Sequence, residues 1–599
     1  MRIALAQTNP TIGDIAANRQ QIEHAINRAR DQQAQLVVFP ELTVIGYPPK
    51  DLLLSPDVID QCVGAVNELA ARCTDIAAII GFPCPSDQPR GLTLYNAAAF
   101  CADGHIVHRH VKTLLPTYDV FDEQRYFEPA ENRNPPYAYQ GVQFGLTICE
   151  DLWNDQDLLP RRLYHREPIR RLAQAGADVL VNCSASPFVM NKHDLRIKLA
   201  EAAAKRHGLP VLYCNQVGGN DELVFDGNSF AVDRAGRLIG HARDFECDLL
   251  VVDLDIPKRE GRSSSGSRSV LSPARPSSAE PDRNDEPDEA GGARIQTPKP
   301  GIEAAYHALV LGLRDYCRKC EFESVAIGLS GGIDSAVTCV VSVAALGPQH
   351  VRGVSMPSRY SSDGSKDDAA ELAEKLGIQY HVIPIEKPHL AFEDLLEPFF
   401  EQRPPDIAEQ NIQARIRGVI LMALSNKFGS LLVTTGNKSE LAVGYCTLYG
   451  DMCGGLAVLS DVPKTMVWDM AHWINESPRS PLRQQFGGPV IPGSTIEKAP
   501  SAELCPNQTD QDSLPPYDRL DQIIERYVEL EQPAHQIITQ TGIDVEEVHA
   551  ILRMIDRNEY KRKQAAPGLK ITGRAFGFGR RMPIAHRYDS RMIPVGEKT

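Results

Sequence analysis

Val325-Ala326-Ile327-Gly328-Leu329-Ser330-Gly331-Gly332-Ile333-Asp334-Ser335-Ala336-Val337 reads as a buried strand, a glycine-rich turn and the start of a helix. Val325 to Leu329 are apolar and partly β-branched, which suits a strand covered on both faces. Gly331 and Gly332 carry no Cβ, so backbone N–H groups can close around an anion. The helix expected next brings its positive end to the same spot. The plain alternative is an ordinary strand-to-helix turn that happens to be rich in glycine. The stretch is not a Walker A loop, because the G-x-x-x-x-G-K-[ST] spacing and its lysine are missing.

Around this stretch, residues 301–599 alternate helices and strands. Helices are expected at Ile302–Cys320, Lys366–Leu376 and Glu409–Phe428, and strands at Val351–Met356, Gln379–Ile385 and Leu431–Thr435. This alternation predicts a doubly wound parallel sheet, with ligands at the carboxyl ends of its strands, where Ser330–Ser335 and Thr435 would lie. Residues 259–300 are a run of Ser, Pro, Glu, Asp and Gly with few apolar side chains, too few to offset the entropy of ordering. A flexible linker is expected there. Residues 1–258 again alternate, with strands at Ile3–Gln7, Leu36–Phe39, Ile76–Gly81, Asn96–Cys101, Gln143–Cys149, Val179–Asn182, Val211–Asn215 and Leu249–Leu254. Helices are expected at Gly13–Gln33 and Arg162–Ala175, so this part reads as a layered α/β domain.

With 599 residues, the chain is too long for one core. Its net charge of −15 argues against nucleic acid or an anionic membrane surface as partner, so a phosphate ligand must be held by local groups. The 14 cysteines are scattered along the chain without Cys/His clusters, which predicts a reducing, cytoplasmic setting without a disulfide frame or zinc site. No signal peptide and no membrane span are expected, since the chain opens directly on a strand and no apolar run approaches the length needed.

Three residues of the first domain end or follow strands: Glu41 in Val37-Val38-Phe39-Pro40-Glu41-Leu42, Lys112 in His108-Arg109-His110-Val111-Lys112-Thr113, and Cys149 in Leu146-Thr147-Ile148-Cys149-Glu150-Asp151. A thiol attacking an amide needs a base for its proton and a cation near the oxyanion. Singly, each has an ordinary reading: core cysteine, loop glutamate, surface lysine. Together, in these contexts, they resemble the nitrilase superfamily, whose triad is Glu-Lys-Cys, over nearly all of the first domain. Asn182-Cys183-Ser184-Ala185-Ser186-Pro187-Phe188 further resembles its glutamine-amidase members. The resemblance implies an α-β-β-α sandwich, glutamine contacts at Tyr118, Ser186 and Lys192, and an auxiliary glutamate at Glu123. It also implies a thioester at Cys149 with release of ammonia.

Ser330 to Ser335 resembles the pyrophosphate loop of enzymes that split ATP into AMP and pyrophosphate. Met356-Pro357-Ser358-Arg359-Tyr360, Thr435-Gly436-Asn437-Lys438-Ser439-Glu440, Lys498-Ala499-Pro500-Ser501-Ala502-Glu503 and Glu559-Tyr560-Lys561-Arg562-Lys563 resemble NAD synthetases. With the nitrilase-like half in front, the chain outside the linker resembles the glutamine-dependent members of that family. This implies an adenine nucleotide α hydrolase-like fold for the second domain. It implies ATP contacts at Gly328, Leu329, Ser330, Gly331, Gly332, Ile333, Asp334, Ser335, Thr435, Lys464 and Ser501, and deamido-NAD contacts at Asn411, Glu440 and Lys561. Asp334 cannot attract a phosphate by itself, so with Glu440 it is expected to hold Mg²⁺, an oxygen-seeking cation. No tightly bound organic cofactor is expected. A homo-oligomer formed through the synthetase domain is. In one place the pattern departs: Thr447-Leu448-Tyr449-Gly450-Asp451 has Leu448 where ammonia-using relatives carry lysine.

The reaction implied joins glutamine, ATP and deamido-NAD to give NAD, AMP, pyrophosphate and glutamate. Two other readings stay open at this point: another amidotransferase of the ATP-splitting type, or a non-catalytic nitrilase-like scaffold fused to a nucleotide-binding module.

Overall fold

Val325–Gly328 is the middle strand of a five-stranded sheet, in the order Gln379–Val382, Val351–Ser355, Val325–Gly328, Leu431–Thr434, Leu456–Ala457. Every neighbouring pair is parallel, with Val325 opposite both Val351 and Leu431. Val325, Ala326 and Ile327 are fully buried, as a strand covered on both faces requires. The chain turns back between the first strand and Leu431–Thr434, so the crevice of a doubly wound sheet opens beside residues 329–335 and 435–440. The structure, a computed structural model, describes residues 1–130, 134–155, 157–158, 163–256 and 294–588.

The first half is a four-layer sandwich. One six-stranded sheet runs Asp248–Asp253, Arg2–Gln7, Leu36–Val38, Ala77–Pro85, Leu94–Ala102, His105–Val111; the other runs Leu238–His241, Phe230–Val232, Val211–Asn215, Val179–Ser184, Val142–Ile148, Tyr137–Tyr139. Between the sheets lie Ile3, Leu5, Val38, Phe100, Phe144, Ile148, Val181 and Leu212. Helices Ile15–Asp31 and Pro56–Arg72 cover the outside of the first sheet, and Pro168–Gln174 and Lys192–His207 that of the second. The expected helix Arg162–Ala175 is shorter: it begins at Pro168, whose missing N–H suits the first helical turn, and Arg162 lies outside the described residues. The expected strand Gln379–Ile385 stops at Val382, on the sheet's exposed edge.

Helix Gly301–Lys319 forms the seam between the halves. It packs on the hairpin Val217–Asn220/Leu223–Asp226, and Phe188, Val217 and Val224 share one core with Leu309, Leu313, Leu569 and Ile571. The close approach requires glycine: a Cβ on Gly219 would lie 3.0 Å from Gly312 Cα. At the end of the helix, the Lys319 ammonium donates to Asn9 Oδ1 (2.8 Å), Pro10 O (2.9 Å), Gly219 O (2.8 Å) and Asn220 Oδ1 (2.7 Å).

Most of the expected linker 259–300 lies outside the described residues. Its end does not behave as a free tether. His241 N donates to Arg294 O (2.9 Å), Gln296 N to His241 O (3.2 Å) and Lys299 N to Asp244 Oδ2 (2.7 Å), fastening 294–299 to the edge of the first half. Beyond the sheet, Tyr517–Ile524, Ala534–Thr541 and Val545–Arg557 gather around their own apolar cluster. Among the described residues no helix is long and apolar enough to cross a membrane.

Candidate active sites

Glu41, Lys112 and Cys149 come together at one end of the sandwich, each just beyond a strand. Lys112 Nζ lies 2.6 Å from Glu41 Oε1 and 2.7 Å from Glu123 Oε1, and all three side chains are buried. Burial alone would lower the Lys112 ammonium, but Glu123 and Glu41 reverse that and hold it charged. Burial raises the Glu123 carboxyl; Lys112 pulls it back and Glu41 adds to the rise. Two neutral donors make the pairing of two carboxylates with one cation tolerable. Asn96 Nδ2 donates to Glu41 Oε1 (2.7 Å) and Glu123 Oε2 (3.4 Å), and the Tyr47 hydroxyl donates to Glu123 Oε1 (2.9 Å).

Cys149 begins the short 3₁₀ turn Cys149–Leu152 and has φ of +42°, a region L-residues enter rarely. Asp151 holds that turn, accepting from Ile148 N (3.0 Å), Thr113 N (3.1 Å) and Leu114 N (2.8 Å). Burial pushes the Cys149 thiol up and Glu41 adds to this, while Lys112 and a hydrogen bond from Ser184 oppose it. A thiol so placed rests protonated and needs a base at the moment of attack.

The expected glutamine contacts surround this centre. The Tyr118 hydroxyl donates to both carboxylate oxygens of Glu150 (3.0 Å), and Tyr164 donates to the same group (3.0 Å). Lys192 Nζ sits 5.1 Å over the Trp153 ring and donates to Pro187 O (3.4 Å). Burial, then Arg196 and Lys570, lower its ammonium to about 8, while the Cys149 and Glu150 charges counteract. Ser186 Oγ accepts from Arg196 Nε (3.2 Å), and the buried Arg196 is paired with Asp226 at 2.7 Å. Sequence reasoning missed Asn96, Glu150, Arg196 and Asp226. Glu150 stood next to Cys149, and Asn96 is the polar residue inside the apolar run Leu94–Ala102.

In the second site, Ser330 to Ser335 folds on itself: Gly332 N donates to Ser330 Oγ (3.2 Å), and Ser335 Oγ to Gly332 O (2.8 Å). Gly331 has φ of +82°, and a Cβ there would lie 2.1 Å from Ser365 O. Leu329 and Ile333 belong to the core, so only their backbone can meet a ligand. Gly328 ends the strand, and Thr435 follows the neighbouring strand end.

Asp334 meets a constellation from two other segments. Its Oδ1 accepts from Asn437 Nδ2 (2.8 Å), its Oδ2 pairs with Lys464 Nζ, and the same ammonium lies 3.2 Å from Glu440 Oε1. Asn437 caps the helix that carries Glu440, which fixes both side chains. Burial raises the Glu440 carboxyl and Asp334 adds to it, against Lys464. Among the described residues there is no cluster of three His, Cys, Asp or Glu able to hold a metal. Two carboxylates gathered around one cation do suit Mg²⁺, which takes one or two protein carboxylates and completes its shell with water and nucleotide phosphates.

Asn411 Oδ1 accepts from Thr447 Oγ1 (2.7 Å), and Arg415 Nε donates to Leu448 O (3.2 Å), so the loop with the departing leucine is held through its backbone. Lys561 Nζ donates to Gly444 O (2.6 Å) and Cys446 O (2.8 Å) on the same loop. Glu440, Asn437, Asp451 and Ala566 line a cavity of about 30 Å³. The Ser501 hydroxyl turns to its own loop and donates to Gln508 O, while Glu503 in the same loop accepts from Ser365 (2.7 Å) beside Gly331.

Residues 2–261 match the family model described as carbon-nitrogen hydrolase, and 305–565 the one described as NAD synthase. The chain is 45% identical to a glutamine-dependent NAD(+) synthetase of Synechocystis sp., covering 98% of this chain and 99% of the relative. It is 42% identical to that of Thermotoga maritima, again over 98% and 99%. Among solved structures it is similar to the glutamine-dependent NAD+ synthetase of Acinetobacter baumannii in complex with ADP, at 37% identity and TM-score 0.72, covering 97% of this chain and 98% of that one.

Proposed function

We infer a residue-level mechanism for a chain that belongs to the family of glutamine-dependent NAD(+) synthetases. It is a carbon–nitrogen ligase: glutamine hydrolysis yields ammonia, and ATP-driven amidation of deamido-NAD yields NAD, AMP and pyrophosphate. Identity running through both halves leaves no room for a different amidotransferase pairing. The reading divides the chain into a glutaminase at 1–258, a linker at 259–300 and a synthetase at 301–599.

In the first unit, Glu41 takes the Cys149 thiol proton as sulfur attacks the glutamine amide carbon. Lys112 stabilises the oxyanion, the proton passes to the leaving nitrogen, and ammonia departs. Water, activated by Glu41, then cleaves the thioester to glutamate. Glu123 and Asn96 hold Lys112 and Glu41 in place; Tyr118, Ser186 and Lys192 bind the amino-acid end of glutamine. The observation carrying this is the Lys112 ammonium lodged between Glu41 and Glu123 beside a buried, strained Cys149.

In the second unit, residues 328–335, Thr435, Lys464 and Ser501 hold ATP, and Asn411, Glu440 and Lys561 hold deamido-NAD. Asp334 and Glu440 would hold Mg²⁺, which supplies charge neutralisation at the phosphates. The nicotinate carboxylate attacks the α-phosphate, pyrophosphate leaves, and ammonia displaces AMP from the acyl adenylate. Positioning carries most of that chemistry.

Pairing of two copies through the synthetase unit is supported by one long helix that stays largely uncovered. The 22-residue helix Ile407–Phe428 buries only Gln413, Ala414, Ile416 and Gly418. Ile407 and Val419 on it stay exposed, as do Leu395 and Phe399 on the segment that precedes it. Asn411 lies on that helix.

Cys149→Ala tests the division of labour. NAD formation from glutamine should vanish while added ammonium still supports it. A folded variant that has lost both routes would overturn the assignment.

A further inference from the structure

Residues Gly568–Gly573 come from the synthetase half, yet they run along the glutaminase mouth. At one end they belong to the synthetase. Ala457 bridges Gly568, and Asp461 accepts from Ile571 N (2.8 Å), Thr572 N (2.7 Å) and Thr572 Oγ1 (2.8 Å). Lys438, one residue from Asn437 and two from Glu440, pairs with Asp461 at 3.0 Å and donates to Thr572 Oγ1 at 2.6 Å.

On the other side the same segment grips glutaminase loops. Lys570 N donates to Glu222 O (2.8 Å), and Met190 N to Ile571 O (2.9 Å), just before Lys192. The Lys570 side chain is buried, and its ammonium has three acceptors: Thr572 O (2.7 Å), Gly573 O (3.1 Å) and Asp119 Oδ2 (3.3 Å). An ammonium buried this deeply is tolerated only when so satisfied. Asp119 adjoins Tyr118 and has φ of +49°, and its Oδ1 is buried without a hydrogen-bond partner. The loop is short and tied at both ends: Phe121 N donates to Tyr118 O (2.9 Å) and Glu123 N to Pro116 O (3.0 Å). A shift at Asp119 is therefore passed to its neighbour Tyr118 within this closed loop.

We propose that this strap completes the glutamine site, with Lys570 as a positioning residue that sets the Tyr118–Asp119 loop through its ion pair with Asp119. The glutaminase unit then lacks a formed substrate mouth unless the synthetase half is folded against it. Lys570 touches no reacting atom; it acts through Asp119 on the loop, while Ile571 O acts on the segment leading to Lys192. The inference rests on reading Tyr118 and Lys192 as glutamine contacts.

The test uses the full chain with Lys570→Met, Lys570→Arg, Asp119→Asn, the double variant Lys570→Met/Asp119→Asn, and Tyr118→Phe. Glutamine KM, glutaminase kcat and ammonium-supported NAD formation are measured for each. Lys570→Met should raise glutamine KM about tenfold, the scale of one lost charge-assisted contact, with less effect on kcat and none on the ammonium route. Lys570→Arg should recover part of the loss, and the double variant should be no worse than the more severe single one. If Lys570→Met proves insoluble, Asp119→Asn reads the same contact from its other side. Unchanged glutamine KM in Lys570→Met or Asp119→Asn overturns the proposal. So do effects that multiply in the double variant, or a parallel fall of the ammonium route. If Tyr118→Phe raises KM and Lys570→Met does not, the strap role alone fails. If Lys570→Met raises KM and Tyr118→Phe does not, the strap role stands and the Tyr118 contact is withdrawn.

Discussion

Asn96→Ala is the sharpest probe of the glutaminase centre, because it removes a neutral group and leaves every expected catalytic residue in place. Asn96 is fully buried, and its amide donates to Glu41 Oε1 at 2.7 Å and to Glu123 Oε2 at 3.4 Å. Without it, Glu41 keeps Lys112 on Oε1 and Ala185 N on Oε2 (3.2 Å), while two carboxylates still face one ammonium. Glu41 loses a hydrogen bond that aims its carboxylate and satisfies its charge, which makes it a poorer acceptor for the Cys149 proton. A hydrogen bond to a charged group is worth about 1.5–3 kcal/mol. At about 1.4 kcal/mol per tenfold, kcat/KM for glutamine should fall about 10- to 150-fold. The longer contact to Glu123 adds little, since strength falls with distance. The assay is initial-rate NAD formation from glutamine and, separately, from ammonium at fixed ATP and deamido-NAD. The ammonium route should stay within about twofold, since single changes at distant sites act independently. A wild-type glutamine rate, or an equal loss on both routes, would refute this role for Asn96.

Asp334→Asn should stop both routes to NAD, by about a hundredfold or more as for other lost electrostatic groups at a reacting centre; unaltered turnover with saturating ammonium would sink its role in holding the cation and phosphates. Lys192, lowered by burial to about 8, is charged below that pH and neutral above it, so glutamine KM should climb as pH rises through about 8. Lys192→Arg should flatten that profile, and an identical rise in the arginine variant would assign the titration elsewhere. Asp226→Ala strands the buried Arg196 without its partner, which costs about 3–5 kcal/mol. The glutaminase unfolding transition should drop by roughly 6–20 °C in calorimetry, and a drop under about 2 °C would show the pair to be dispensable.

The strands and both loops were legible because their chemistry is local. Ser330 to Ser335 follows an apolar strand, and Glu41, Lys112 and Cys149 each stand just past a strand in a recognisable run. Residues acting across the fold were not. Asn96 differs from its strand neighbours only in polarity, and nothing local says that it faces two carboxylates. Lys570 reads as an ordinary basic residue until the tertiary fold brings Asp119 to it. Composition misjudged the end of the linker because 294–299 are held by backbone pairing to His241 and by Asp244, not by apolar burial. The C-terminal helices were within reach of pattern reading. Val548, Ile551, Leu552 and Ile555 recur at helical spacing and are the residues buried there.

The placement of Gly568–Gly573 also bears on the order in which the chain is made. Arg2–Gln7 is paired with Asp248–Asp253 along its full length, so the sandwich can close on itself once its own last strand has emerged. The strap is translated hundreds of residues later, among the final part of the sequence. A nascent or prematurely ended chain would thus carry Cys149, Glu41 and Lys112 in a closed sandwich whose mouth loops still lack Lys570 and Ile571. Ammonia release would be withheld until the half that consumes it has been synthesised and has folded back.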